Sequence, residues 1–289
     1  MNIAILGANG FLGQHLTSTL VASGNEVTGF VLNPKLTSNF GYREMSIREL
    51  LHGSQTNFER FDVAINLAAK RSTKAQPYSD SEVMEHTFQI PYNFFLRTVT
   101  SSTLLINAST YIQNHMGIIG NAIDTYSFAK QKLSESLENL VGTDGFTILD
   151  LFFFTLYGPR DRSSHLIPLL LEAAKSNQSI DLSPGKQLIN LLFVDDAVEN
   201  IVGLLNTKEA LGYRKYHVWS EELKTIREVV ADIENSLGVT INCNWGAREY
   251  SGHEMLSRWP EVTELVPSFS ASTSFEEGIY STWAGMQKN

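Results

Sequence analysis

The chain has 289 residues, 43% of them hydrophobic and 18% charged, with a formal charge of −9. That is enough apolar material for one large α/β domain or two unequal lobes, and the acidic balance argues against a long nucleic-acid partner. The lone cysteine, Cys243, excludes an internal disulfide, suits a reducing compartment and reads as a small apolar side chain. A small phosphorylated ligand stays open, because a few arginines or a helix N-terminus act locally. No apolar run approaches the roughly 20 residues of a membrane span. The opening "MNIAILGANG" lacks the basic region of a signal peptide and reads as a strand, so a cytoplasmic protein without a membrane partner is expected.

In chain order, "NIAIL" is a short apolar strand, followed by a glycine turn and a helical period through Leu12, Leu16 and Leu20 that stops at Gly24. "NEVTGFVLNP" is the next strand, ended by Pro34. "IRELLHG" reads as a short helix, "FDVAINLAA" as a third buried strand, and Asp80 to about Thr100 as a longer helix. The strand "TLLINAS", a helix carrying Tyr126 and the apolar strand "FTILDLFFF" complete this half. Strands alternating with helices imply a parallel sheet covered on both faces. The rhythm then changes. "SHLIPLLLEAAKS" and "IREVVADIENSLG" are helices, "LINLLFVDDAVENIVGLL" is a strand running into a helix capped by Asp195 or Asp196, and "VTINCNW" is strand-like. The expected fold is α/β. A doubly wound parallel sheet spans residues 1–157. A smaller, mixed C-terminal lobe spans 158–289, with some segments returning to the main sheet.

"LGANGFLG" places Gly7, Gly10 and Gly13 between a strand and a helix. The first glycine permits a tight turn, the second lets backbone approach a pyrophosphate, and the third lets helix and strand pack closely. Asn9, Phe11 and Leu12 belong to the same cofactor turn. The second strand ends in Leu32-Asn33 within "FVLNPK", without Asp, Glu or Arg. A carboxylate there would bond the ribose diol of NAD and repel a 2′-phosphate. Its absence, with Lys35 nearby, favours NADP and leaves NAD open.

Tyr126 and Lys130, in "YSFAK", share one helix face. A lone Tyr-x-x-x-Lys decides nothing. However, "GANGFLG", "DVAINLAA", "NAST", "YSFAK", "LYGPRD" and "FVDDAV" occur in that order. The series resembles an extended short-chain dehydrogenase/reductase of the NAD-dependent epimerase/dehydratase family, over nearly the whole chain. That resemblance implies a Rossmann-type domain for the cofactor over residues 1–157, a C-terminal substrate lobe over 158–289 for a nucleoside-diphosphate sugar, and a Ser/Thr–Tyr–Lys catalytic set. Tyr126 would be the acid/base. Lys130 would stabilise its phenolate and bond the nicotinamide ribose. Ser109 and Thr110 both offer a hydroxyl, and the family pattern favours Thr110 as the group that bonds the substrate carbonyl oxygen. Leu67, Ala68, Ala69 and Phe153 would add to the cofactor site. Lys70, Tyr111, Thr155, Arg160 and Arg248 would touch substrate, although Lys70 could equally face solvent and Arg248 could be a surface residue.

Departures from the pattern narrow the reaction. Dehydratases of this family carry Asp-Glu after the threonine, whereas this chain has Tyr111-Ile112, which can neither protonate a leaving hydroxyl nor abstract a proton. Where many relatives have Arg-Asp, it has Ile189-Asn190, which leaves Arg248, Arg160 and Arg162 as replacement diphosphate ligands. The stretches "GAREYSGHEM" and "SFSASTSFEEGI" resemble the tail of nucleotide-linked 4-keto-6-deoxyhexose reductases of the paratose and abequose synthase type. The expectation is reduction at C4 of the sugar. The alternatives are a 4-epimerase with tightly held NAD and a non-catalytic dinucleotide sensor. No metal is expected: Asp195 and Asp196 lack companion ligands at useful spacing. His86, His165 and His253 are given no catalytic duty. Relatives pair through two helices per subunit, so a homodimer is expected.

Overall fold

The computed structural model describes residues 1–34, 41–52, 60–73, 76–100, 103–144, 147–205, 212–219 and 222–287. The chain falls into two compact units. The first holds Met1–Phe153, Val198–Val218 and Thr263–Phe269, and the second holds Phe154–Ala197, Trp219–Val262 and Ser270–Asn289.

The first unit is built on an eight-stranded sheet among the described residues. Six strands come from its first stretch: β1 (Asn2–Leu6), β2 (Glu26–Val31), β3 (Arg43–Ser46), β4 (Val63–Asn66), β5 (Leu104–Thr110) and β6 (Thr147–Phe153). The order across the sheet is Glu264–Leu265, Gly212–Val218, β6, β5, β4, β1, β2, β3. Every pairing is parallel. The helices are α1 (Phe11–Ala22), α2 (Ile47–His52), α3 (Asp80–Met84), α4 (Ile90–Thr98) and α5 (Thr125–Asp144). This is the parallel sheet that the alternating pattern predicts, in the Rossmann-type arrangement that the family resemblance implies. One face of the sheet closes over Phe30, Phe94, Phe95, Leu105, Leu133, Leu137 and Ile148, all fully buried. Each such side chain contributes about 1.5–3 kcal/mol relative to exposure.

Three strands of this sheet were not expected from the sequence, one of them the two-residue Glu264–Leu265. β3 reads "REMS" and is the edge strand, so only its pairing with β2 defines it. Gly212–Val218 reads "GYRKYHV" and is recruited by full-length register with β6. Neither carries the continuous apolar run of a strand buried on both faces.

The helix expected from Asp80 to about Thr100 is present as α3, a π-helical turn at Glu85–Gln89, and α4. Ser79 starts it with a reciprocal capping box to Glu82. The π turn has a cause in the sequence. Pro91 sits at the head of α4, lacks an N–H, and its ring would clash with the carbonyl four residues back, at Thr87, in a regular α-helix.

The second unit has its own core around Leu170, Leu171, Val229, Ile233 and Ile279, with Cys243 half-buried against it. Its strands are short pairs. Leu191–Phe193 lies parallel to Thr155–Tyr157, Lys224–Thr225 is antiparallel to Leu188–Ile189, and Cys243–Trp245 is parallel to Ile180–Leu182. The single strand read in "LINLLF" is therefore two, and "VTINCNW" contributes only its last residues. Asp195 and Asp196 stand in the first turn of the helix Val194–Leu204 rather than at its cap. The Asp196 carboxylate accepts hydrogen bonds from the Ser272 hydroxyl at 3.2 Å and the Thr273 hydroxyl at 3.0 Å. Its duty is to hold the 272–273 turn, a partner that sequence proximity did not reveal.

Candidate active site

The head of α1 is made of backbone. Gly7 has φ +85°, and a Cβ there would lie 2.9 Å from the Ala68 nitrogen. A Cβ on Gly13 would lie 2.2 Å from the Gly7 oxygen, so glycine is required where α1 crosses β1. Gly10 is the N-cap and no side chain caps the helix. Its first N–H groups therefore face outward, as an anion site requires. In front of this turn is a cavity of about 340 Å³ in the first unit. Gly7, Asn9, Gly10, Leu32, Asn33, Leu67, Ala68 and Ala69 line it, so the structure brings together eight residues that the sequence reading grouped. Phe11, Leu12 and Gly13 belong to the first turn of α1 behind it. Phe153 is buried at the end of β6, in register with Thr110, and does not line it. Lys35, on which the NADP reading leaned, lies outside the described residues.

Lys70 also lines this cavity, together with His86 and Ile90. The Lys70 ammonium lies 4.5 Å from the centroid of the Tyr78 ring and 3.9 Å from Glu82. Its backbone is clamped by Thr87, whose hydroxyl accepts the Lys70 N–H and donates to the Lys70 carbonyl, each at 3.0 Å. Thr87 belongs to the π turn that Pro91 causes. A helix irregularity thus fixes the loop after β4. Burial, reinforced by the Lys70 charge, holds the His86 imidazole below its ordinary range. His86 would therefore meet a ligand as the neutral ring.

Tyr126 lies in the first turn of α5. Asp124 caps that helix, its Oδ1 accepting the Ser127 N–H at 2.7 Å while the Ser127 Oγ accepts the Asp124 N–H at 3.1 Å. The other Asp124 oxygen is 3.8 Å from Arg71. The Arg71 guanidinium in turn lies 5.4 Å from the centroid of the Tyr126 ring. The Thr110 hydroxyl is close enough to the Tyr126 side chain to draw the phenol pKa down. It also caps the turn that follows β5, accepting the Ile112 N–H at 3.5 Å, while the Gln113 side chain accepts the Thr110 N–H at 3.5 Å. Burial raises the phenol pKa. The Arg71 charge and the Thr110 hydroxyl pull the other way, and Asp124 adds to the rise. The phenol is therefore held as a proton donor, with a guanidinium against its ring to accommodate charge when the proton leaves.

Lys130, one turn along and 3% exposed, gives its ammonium to the Ala108 carbonyl at 2.5 Å. Burial pushes its pKa down to about 8, with the Asp150 carboxylate opposing. Lys130 thus shares the helix face of Tyr126, but the cation whose charge acts on the phenol here is Arg71. Ser109, the other candidate hydroxyl, points inward and bonds Asp150 at 2.5 Å. Of the two, Thr110 is the one presented to Tyr126. Tyr111, which follows it, is partly exposed, and Ile112 is buried.

In the second unit, Arg160 has φ +68° and lines a cavity of about 320 Å³ with Arg162 and Lys175. Thr155 is in the short strand Thr155–Tyr157. Arg248 is exposed beyond the strand Cys243–Trp245, its N–H bonded to the Leu182 carbonyl, and it is not part of that cavity.

Residues 3–218 match the model of the NAD dependent epimerase/dehydratase family. The chain belongs to that family. Its curated relatives include CDP-abequose synthase of Yersinia pseudotuberculosis, 24% identical over 89% of this chain and 91% of that one. UDP-N-acetyl-alpha-D-glucosaminuronate decarboxylase of Bacillus cytotoxicus is 25% identical over 96% of this chain and 95% of its own length. Among solved structures, MoeE5 in complex with UDP-glucuronic acid and NAD superposes with TM-score 0.83 at 18% identity, covering 100% of this chain and 99% of that one. UDP-glucuronic acid 4-epimerase from Bacillus cereus, in complex with UDP-glucuronic acid and NAD, gives 0.82 at 17% identity over 100% and 99%. The protein is thus an enzyme of a nucleotide-sugar-modifying family on the short-chain dehydrogenase/reductase fold.

Sequence reasoning missed Arg71, His86 and Asp150. Arg71 directly follows the "LAAK" stretch, and Asp150 is the one charged residue in "FTILDLFFF". A lone carboxylate in an apolar strand was the available signal, because such a group needs a built set of partners.

Proposed function

We propose that this protein reduces a nucleoside-diphosphate 4-keto-6-deoxysugar at C4, using NADPH or NADH, in deoxysugar biosynthesis. The observation that carries this reading is Tyr126 held between the Thr110 hydroxyl and the Arg71 guanidinium. Lys70, next in chain to Arg71, lines the cavity at the glycine turn. The nicotinamide would deliver hydride to C4. Tyr126 would protonate the nascent alkoxide while Thr110 orients the carbonyl oxygen. Tyr111-Ile112 after Thr110 offers no acid or base for dehydration. The likeness to CDP-abequose synthase supports a CDP-linked substrate as the first to try.

Gly7, Asn9, Gly10, Asn33 and Ala68 fit a dinucleotide, with the α1 head toward its pyrophosphate. We infer a preference for NADP from the "FVLNPK" stretch, and comparing NADPH with NADH as reductant tests it. The decisive assay is loss of absorbance at the reduced nicotinamide on adding CDP-4-keto-6-deoxyglucose and its dTDP, GDP and UDP counterparts. Turnover with none of these would reject the reductase.

One observation favours the 4-epimerase instead. Asn33 lines the cavity at the end of β2 and suits the ribose diol of NAD. Purified protein that retains stoichiometric NAD and interconverts C4 epimers without added cofactor would establish that reading. A homodimer through α4 and α5 is also proposed, supported by Leu96 and Phe128, which are 42% and 44% exposed on those helices. Sedimentation of the protein at monomer mass would exclude it.

A further inference from the structure

Asn66, Asn107 and Asp150 occupy the same register position on three adjacent strands, β4, β5 and β6. All three are fully buried. The Asn66 amide donates to Asn107 Oδ1 at 2.8 Å, and the Asn107 amide donates to Asp150 Oδ1 at 2.8 Å. The same Asp150 oxygen accepts the Ser109 hydroxyl at 2.5 Å. Its other oxygen accepts the hydroxyls of Ser134 and Tyr213, each at 2.6 Å. A carboxylate deprived of water requires such a set, and this one is complete.

The row ends in functional groups on both sides. Asn66 Oδ1 accepts the N–H of Ala68, which lines the dinucleotide cavity. Asn107 and Ser109 flank Ala108, the residue whose carbonyl receives the Lys130 ammonium. Ser134 is one helical turn beyond Lys130 on the same face of α5. Asp150 therefore grips the strand on both sides of the Lys130 acceptor and the helix next to the Lys130 stem.

We propose that Asp150 is a positioning residue that aims Lys130 at the Ala108 carbonyl and, through Asn107 and Asn66, holds the cavity loop at Ala68. This rests on the catalytic reading of Tyr126 and Lys130 given above, and adds to it a residue that touches neither substrate nor cofactor. The charge matters as well as the geometry, because the Asp150 carboxylate supports the ammonium form of Lys130 against burial. The other titratable groups around this network are Tyr213 on the strand Gly212–Val218, whose phenol is kept protonated by burial and by Asp150, and Glu138 further along α5. Glu138 is itself paired with Lys215 at 2.9 Å.

The test needs no sugar substrate. Asp150→Asn keeps the shape of the side chain, and its three hydroxyl neighbours can rotate to accept from the new amide. The titration of the Lys130 side chain is followed by ¹⁵N NMR, assigned with Lys130→Arg, and NADH affinity is followed by fluorescence. In Asp150→Asn the Lys130 midpoint falls by about one pH unit or more, and NADH binding weakens by about threefold to tenfold. Tyr213→Phe keeps the volume and removes one donor, so the less quenched carboxylate moves the Lys130 midpoint upward. Opposite shifts in the two variants are what a purely structural role would not produce. A Lys130 midpoint unchanged in folded Asp150→Asn overturns the proposal. If that variant does not fold, an unchanged midpoint in Tyr213→Phe overturns it. A shifted midpoint in a protein that reduces no 4-keto sugar would leave this inference standing and reject the proposed reaction alone.

Discussion

The heads of α1 and α5 achieve opposite things by opposite means. At α1 the site is backbone. Glycines remove side chains so that carbonyls and N–H groups can approach, and Gly13 passes a position where a Cβ would be 2.2 Å from an oxygen. At α5 the site is side chain. Tyr126 has its surroundings from Arg71 after β4, Thr110 at the end of β5, and Asp124 at the helix cap. A site made by absence is specified locally, within seven consecutive residues. A site made by convergence is specified only when the sheet is assembled.

The sharpest way to break this contrast is to remove the phenolic oxygen. Tyr126→Phe is expected to lower turnover by about 10²–10⁴-fold while NADH binding, followed by fluorescence, stays near wild type. Next in size, Gly13→Val places a branched side chain against the Gly7 and Ala8 carbonyls. Dinucleotide affinity should fall by about tenfold or more, with Tyr126 chemistry at saturating cofactor much less affected.

Arg71→Leu removes the cation at the Tyr126 ring, and the phenol pKa should rise further. The direction that needs phenolate, alcohol oxidation, should slow by about threefold to tenfold, with reduction less affected. The pH profile has a separate signature. The Lys130 ammonium is lost as pH rises through about 8, so activity that depends on it should decline above that value in stopped-flow or steady-state rates.

The smallest effect is expected from Pro91→Ala. It restores an N–H, allows the π turn to relax toward α-helix and slackens the Thr87 clamp on Lys70. KM for NADH should rise by about twofold, with kcat unchanged.

These contrasts also explain what was legible in the sequence. The glycine turn and the apolar strands β1, β2, β4, β5 and β6 could be read because each carries its own spacing, whereas the Tyr126–Lys130 pair was singled out only by the ordered series of motifs around it. Arg71 could not, since nothing between residues 71 and 126 says that they meet. The resemblance favoured Thr110 over Ser109, but the physical reason waited for the structure, in which the strand's alternation sends Ser109 inward to Asp150 and leaves Thr110 on the side of the phenol. The strand Gly212–Val218 was obscured by Arg214 and Lys215, because its register comes from β6 and not from its own composition. Pro91 was passed over, and Asp80 to about Thr100 was read as one regular helix; the consequence of that proline depends on Thr87 reaching a loop seventeen positions earlier.

The sheet of the first unit places Gly212–Val218 beside β6, and Glu264–Leu265 beyond that. A ribosome must therefore emit about sixty further residues after β6 before β6 acquires its outer neighbour. Until then the emerging chain displays a bare, strongly apolar border, the situation in which edge-to-edge association competes with correct closure. Slow, non-local completion of this kind predicts that yield will depend on expression temperature and chaperone supply more than on the intrinsic stability of the finished fold.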